Sequence, residues 1–145
     1  MKSLFKIASG IRRVYYFIVR PKTIGVKCLI ECNGEYLFIK QTYGSHMSNW
    51  NLPGGGVERG ESVESAVARE VFEEVGIVLS EVAKVKKYVS NFEYKVDTVH
   101  CFYAKVVSKH FVINTNEISE AVWFPKNNIP ENISRSIKES LISLL

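Results

Sequence analysis

The sequence predicts an α/β (α+β) layered domain with a mixed β-sheet. Three observations carry that expectation. Short β-rich segments recur along the chain, two amphipathic helical patterns interrupt them, and turn signals separate the segments. The 145 residues fit one domain, and at 46% hydrophobic content they can bury a sizeable core.

Residues 3–19 read as an amphipathic helix. Leu4, Ile7, Ile11, Val14 and Ile18 follow the three/four spacing of one helical face, while Lys2, Lys6, Arg13 and Arg20 fall opposite. Pro21 is expected to stop the helix. A hairpin follows: TIGVKCLIEC is β-rich, Asn33-Gly34 is a strong turn signal, and EYLFIK alternates after it. The polar stretch 41–49 reads as a loop, and Trp50-Asn51-Leu52 as a short strand before Pro53 and a glycine-rich loop.

Ser62 is placed to cap a helix over residues 63–75, whose buried side is marked by Val63, Val67, Val71 and Val75. Gly76 is placed just past its end. Residues 82–90, 98–107 and 121–124 read as strands, Asn127 to Pro130 as a loop, and residues 133–144 as a final helix. The chain thus divides into a basic amphipathic N-terminal helix (1–22) and a globular domain (23–145).

Charge is unevenly spread. Of the 19 basic residues, seven lie in residues 1–30, where no acid occurs; all 15 acids lie beyond. A basic leader therefore precedes a mildly acidic domain. Cys28, Cys32 and Cys101 show no C-x-x-C spacing and fit buried reduced thiols better than a zinc site with His46, His100 or His110. No apolar run approaches the roughly 20 residues of a spanning helix, and Lys6, Arg12 and Arg13 interrupt any secretory apolar core. A cytoplasmic protein is the simplest expectation.

The segment from Arg69 to Ile77 carries the chemistry. Positions i, i+3 and i+4 share one helix face, so Glu70, Glu73 and Glu74 crowd three carboxylates together. A solvated acidic face would explain them. A hard divalent cation would relieve their repulsion; Mg²⁺ takes oxygen ligands and shares its shell with substrate phosphates. The preceding Gly54-Gly55-Gly56 favours the second explanation, because it allows a main-chain carbonyl or amide close to metal or phosphate.

Gly55, then Glu61, then Arg69-Glu70-Val71-Phe72-Glu73-Glu74-Val75-Gly76-Ile77 match every fixed position of the Nudix box, and the chain resembles the Nudix hydrolase superfamily. The lead-in Trp50-x-Leu52-Pro53-Gly54-Gly55 and the later Glu117 to Phe124 are also similar to it. The resemblance spans about residues 23–130. It implies an α/β/α sandwich and an enzyme cleaving a pyrophosphate bond by attack of water on phosphorus. It implies Mg²⁺ as cofactor, with Mn²⁺ a substitute, held by Glu70, Glu73, Glu74 and the Gly54 carbonyl. Glu61 and Arg69 would brace the loop against the helix, with Gly55 and Gly76 structural. The general base would be Glu70, Glu117 or Glu120, with Glu117 favoured.

Tyr43, His46, Phe92 and Tyr94 are candidate substrate contacts, because aromatics at loops or strand ends can stack on a base. The expected substrate is a nucleoside diphosphate linked to another moiety: a nucleotide sugar, ADP-ribose, a dinucleoside polyphosphate or a modified nucleoside triphosphate. An RNA 5′-end pyrophosphohydrolase is the alternative, and a non-catalytic nucleotide-binding module the alternative of another class. For the basic helix, packing on the domain is the first expectation, a homodimer contact the second, and a membrane surface or RNA the last.

Overall fold

The computed structural model describes residues 2–19, 22–44, 48–92, 94–134, 137–138 and 141. Its elements in chain order are α1 (Lys2–Val19), β1 (Lys22–Cys32), β2 (Glu35–Gln41), β3 (Gly54–Gly56), α2 (Val63–Val75), β4 (Ala83–Phe92), β5 (Lys95–Lys105) and β6 (Ile118–Pro125). Five strands lie in the order β4-β5-β1-β2-β6, and β3 joins β1 separately. The β1–β5 pair is parallel and the others antiparallel, so the sheet is mixed as expected. The turn between β1 and β2 is built on Asn33 (φ 49°) and Gly34 (φ 79°), positive at both centres as a two-residue hairpin requires.

β1 is the hinge of the design. Its far end pairs with β2 (Glu31↔Tyr36, Cys32↔Glu35), whereas its near end pairs with β3 (Gly25↔Gly56, Val26↔Gly55, Lys27↔Gly54). The chain between β2 and β3 crosses this fork, with Cys28 N donating to Pro53 O at 2.9 Å.

Alternation along the strands splits the core into two layers. Val26, Cys28 and Ile30 face Ala66, Val67, Val71 and Val75 of α2. Leu29 and Phe38 face the other way, onto Trp50, Leu52, Ile133, Ile137 and Leu141. The sheet is therefore covered on both sides, giving the α/β/α sandwich.

Several expectations shift. Trp50 and Asn51 form no strand; each makes an isolated bridge, to Ile133 and Ile39 respectively. The glycines expected as a loop are themselves the strand, since lacking side chains they can lie flush on β1. The final helix does not begin at Ile133, which is held in its bridge to Trp50; Ile137, Lys138 and Leu141 are helical, and residues 135–136, 139–140 and 142–145 of that expected helix lie outside the described residues. Pro21 lies outside them as well. Strand β6 begins three residues earlier than expected, at Ile118. On α1, Ile11, Val14 and Ile18 are 67%, 60% and 73% exposed, so these members of the apolar stripe do not pack on the domain.

Candidate active site

Helix α2 is positioned by its two ends. Ser62 Oγ accepts from Ser65 N at its start, and Gly76, left-handed at φ 68°, returns its N–H to Phe72 O at its finish. The valine stripe then presses one side into the core, and the carboxylates emerge beside β3.

Glu74 is the most enclosed of them, at 2% exposure. Its Oε2 accepts from Gly54 N at 2.8 Å. Burial pushes its pKa up to about 7, against the pull of the nearby Lys27 ammonium and the Gly54 hydrogen bond; Glu70 and Glu117 push it further upward. Glu70 lies against the next residue of the same strand. A Cβ added to Gly55 would fall 2.4 Å from the Glu70 carboxyl carbon. Burial also raises the Glu70 pKa, opposed by Arg69 and reinforced by Glu73 and Glu117. Two carboxylates thus touch the backbone of β3, Glu74 through the Gly54 amide and Glu70 in the space that Gly55 leaves.

Arg69 holds the periphery together. Its Nε and Nη2 donate to the two oxygens of Glu61 (2.8 and 3.0 Å), and Nη2 also donates to Gly56 O at 2.9 Å. Its Nη1 donates to Glu70 (2.8 Å) and Glu73 (3.2 Å). These partners, Glu61 first, hold the guanidinium more firmly protonated than usual. The Arg69–Glu61 fork ties the segment after β3 to α2, as a charge-assisted bidentate pair should.

The sequence profile of the NUDIX domain matches residues 19–144. The chain belongs to the Nudix family. Curated relatives include the nucleoside triphosphatase NudI of Salmonella agona, 31% identical over 72% of this chain and 82% of that protein. They also include the NAD-capped RNA hydrolase NudC of Pseudomonas aeruginosa, 41% identical over 62% of this chain. The chain spans only 32% of that NudC. A MutT NUDIX hydrolase from Burkholderia pseudomallei shares the fold, with TM-score 0.79 at 24% identity over 86% of this chain and 98% of its own. The chain is accordingly an enzyme, a Nudix pyrophosphohydrolase, and Nudix hydrolases use a divalent metal.

The Nudix box assembles unevenly. Glu70 and Glu74 lie together on β3, while Glu73 turns out to Arg69 and is 47% exposed at its side chain. Among the described residues, no three Asp, Glu, His or Cys side chains form a group closed enough to hold a metal alone. The donor set present, two mutually repelling carboxylates beside a strand without side chains, fits an open hard-cation site completed by water and phosphate oxygens.

Glu117 belongs to the same neighbourhood. Its charge acts on Glu70, Glu74 and Tyr43, and its Oε1 accepts weakly from Asn114 Nδ2 at 3.4 Å. Glu120, expected to flank a strand, sits inside β6 opposite Lys40 and pairs with its ammonium at 3.2 Å. Tyr43 is 56% exposed, and its pKa is raised by desolvation and then by Glu117, Glu74 and Glu70. Tyr94 instead meets the ring of Phe17, edge-on at 4.9 Å. His46 and the Phe92 side chain lie outside the described residues.

Lys27 was missed from the sequence. Its ammonium donates to Leu52 O at 3.2 Å, and burial lowers its pKa while Glu74, its main electrostatic partner, raises it. The signal was present: one cation between Val26 and Cys28 in the otherwise apolar run 24–30.

Proposed function

We propose that this Nudix enzyme hydrolyses the pyrophosphate bond of a nucleoside diphosphate linked to another moiety, or of a nucleoside triphosphate, with Mg²⁺ at Glu70, Glu73, Glu74 and the Gly54 carbonyl. The observation that carries the reading is the contact of the Glu70 and Glu74 carboxylates with β3, where Glu74 bonds the Gly54 amide and Glu70 lies on Gly55. A cation bound there would neutralise charge on the phosphates and acidify a water. Mn²⁺ has the same oxygen preference and would substitute.

The chain's own groups then divide the work. Glu70 and Glu74 supply oxygen donors whose mutual repulsion favours a cation. Arg69 fixes Glu70 and, through Glu61 and Gly56, the strand beside it. Glu117 is the proposed general base, since it is a carboxylate close enough to act on both ligands yet is not braced by Arg69. Tyr43, exposed beside the same acids, is the proposed stacking surface for a base. The buried thiols of Cys28, Cys32 and Cys101 suit a reducing compartment, which supports a cytoplasmic location.

NudI, named a nucleoside triphosphatase, and NudC, named an NAD-capped RNA hydrolase, both act on substrates containing a nucleotide, which supports the substrate class. The test is a panel of nucleoside triphosphates, nucleotide sugars, ADP-ribose, dinucleoside polyphosphates and 5′-capped RNA, with product analysis. Release of a nucleoside monophosphate or pyrophosphate that stops on chelation is expected. Cleavage insensitive to chelation, or no cleavage of any member, would overturn the reading.

A further inference from the structure

We propose that α1 docks this protein on an anionic lipid surface, lying in the headgroup layer with its apolar stripe buried. Ile11, Val14, Tyr15 and Ile18 share one side of the helix by their three/four spacing and are 55–73% exposed. A helix of 18 residues is marginal by itself in water, so such a stripe needs a surface to cover it.

A different side of the helix meets the domain, since Phe17 lies about a quarter-turn or more from the centre of the stripe. Phe17 meets Tyr94 edge-on at the β4–β5 turn. On the sheet, Ile24 of β1 and Val89 of β4 both align with Thr98 of β5, so they share one sheet face, and they are 48% and 59% exposed. The sheet end thus adds exposed apolar groups to those of the helix.

Charge selects the occupant. Residues 1–22 carry six cations and no anion, and Lys2, Lys6 and Arg13 fall by helical spacing opposite the stripe; Lys27, buried beside Glu74, takes no part. A second copy would cover the stripe and leave the cations on the far side of each helix unanswered. Nucleic acid would satisfy the cations and leave Ile11, Val14 and Ile18 in water. Anionic lipid answers both halves of the helix: headgroups take the cations and acyl chains take the stripe. Among the described residues no helix is long and apolar enough to cross a membrane, so α1 would lie on the surface.

Flotation of the full chain with phosphatidylcholine vesicles, with and without phosphatidylglycerol, tests this. Binding to the phosphatidylglycerol vesicles is expected, about tenfold stronger than to phosphatidylcholine alone. It should be lost in Ile11→Asp/Ile18→Asp, whose nucleotide hydrolysis in solution stays at the wild-type rate. Absence of the wild type from phosphatidylglycerol vesicles overturns the proposal. So does a double variant that floats as well as the wild type. A solution dimer that the double variant disperses would assign the stripe to a second copy and overturn it too.

Discussion

Glu74 is a buried acid with two neighbours of opposite effect. Lys27 below it favours its charged form, and Glu70 and Glu117 beside it disfavour that form. Glu74→Gln keeps an oxygen that can accept from Gly54 N but removes the charge. We expect turnover at saturating Mg²⁺ to fall about 10³-fold, equivalent to about 4 kcal/mol of barrier. Phosphate-release kinetics check this, and near wild-type turnover would remove Glu74 from the metal site. Relief of repulsion alone would raise the stability of the metal-free variant. The same substitution strips buried Lys27 of its main opposing charge, so the two effects offset, and we expect Tm without metal to move by no more than about 3 °C. The Nudix-box residues were legible because their spacing is local: i, i+3 and i+4 on one helix, and an Arg69–Glu61 pair eight residues apart. Lys27 was not, because its partner lies 47 positions away on another element.

At the scale of elements, the glycines of β3 have separate tasks. A Cβ on Gly54 would meet Val26 O of β1 at 2.0 Å, a backbone atom that cannot step aside. A Cβ on Gly55 would first meet the end of the Glu70 side chain, which can rotate away. We therefore expect Gly54→Ala to unpair β3 and lower Tm by several degrees, and Gly55→Ala to keep Tm but lose most activity by displacing Glu70. Thermal unfolding measured with activity on both variants checks the contrast; equal Tm losses would refute it. A second contrast belongs to β6. Glu120 lies within the strand and pairs with Lys40, whereas Glu117 precedes the strand and acts on the ligands. Glu117→Gln should lower kcat by about 10²-fold or more, in the range of a lost general base, and Glu120→Gln by less than about threefold. Comparable kinetics for the two would return the base to Glu70. Periodicity revealed α2 with both caps, since each signal sits on the element it defines. It missed β3, because three glycines carry no alternation; only the partner strand makes them a strand.

For the whole molecule, the fold class was readable because strands and helices differ in period, and the sandwich follows once both faces of the sheet are apolar. The placement of α1 was not readable. An amphipathic pattern states that a stripe needs covering and leaves open what covers it. Here Ile11, Val14 and Ile18 contribute no area to either core layer, and the match to the NUDIX domain begins only at residue 19. Among the described residues, one tie between helix and domain is the Phe17–Tyr94 pair, worth about 1 kcal/mol by its kind. A chain beginning at Lys22 should therefore fold, lose at most a few degrees in Tm, and keep kcat within about fivefold, the size of a full 1 kcal/mol effect on the barrier. KM carries the sharper information. Arg12 acts electrostatically on Tyr43, the proposed base-stacking ring, so shortening removes a cation from the rim of the site. A rise in KM for the more highly charged nucleotides, with kcat held, is the expected signature. A collapse of kcat in the shortened chain would instead make α1 part of the catalytic scaffold, and the boundary near residue 22 would be wrong.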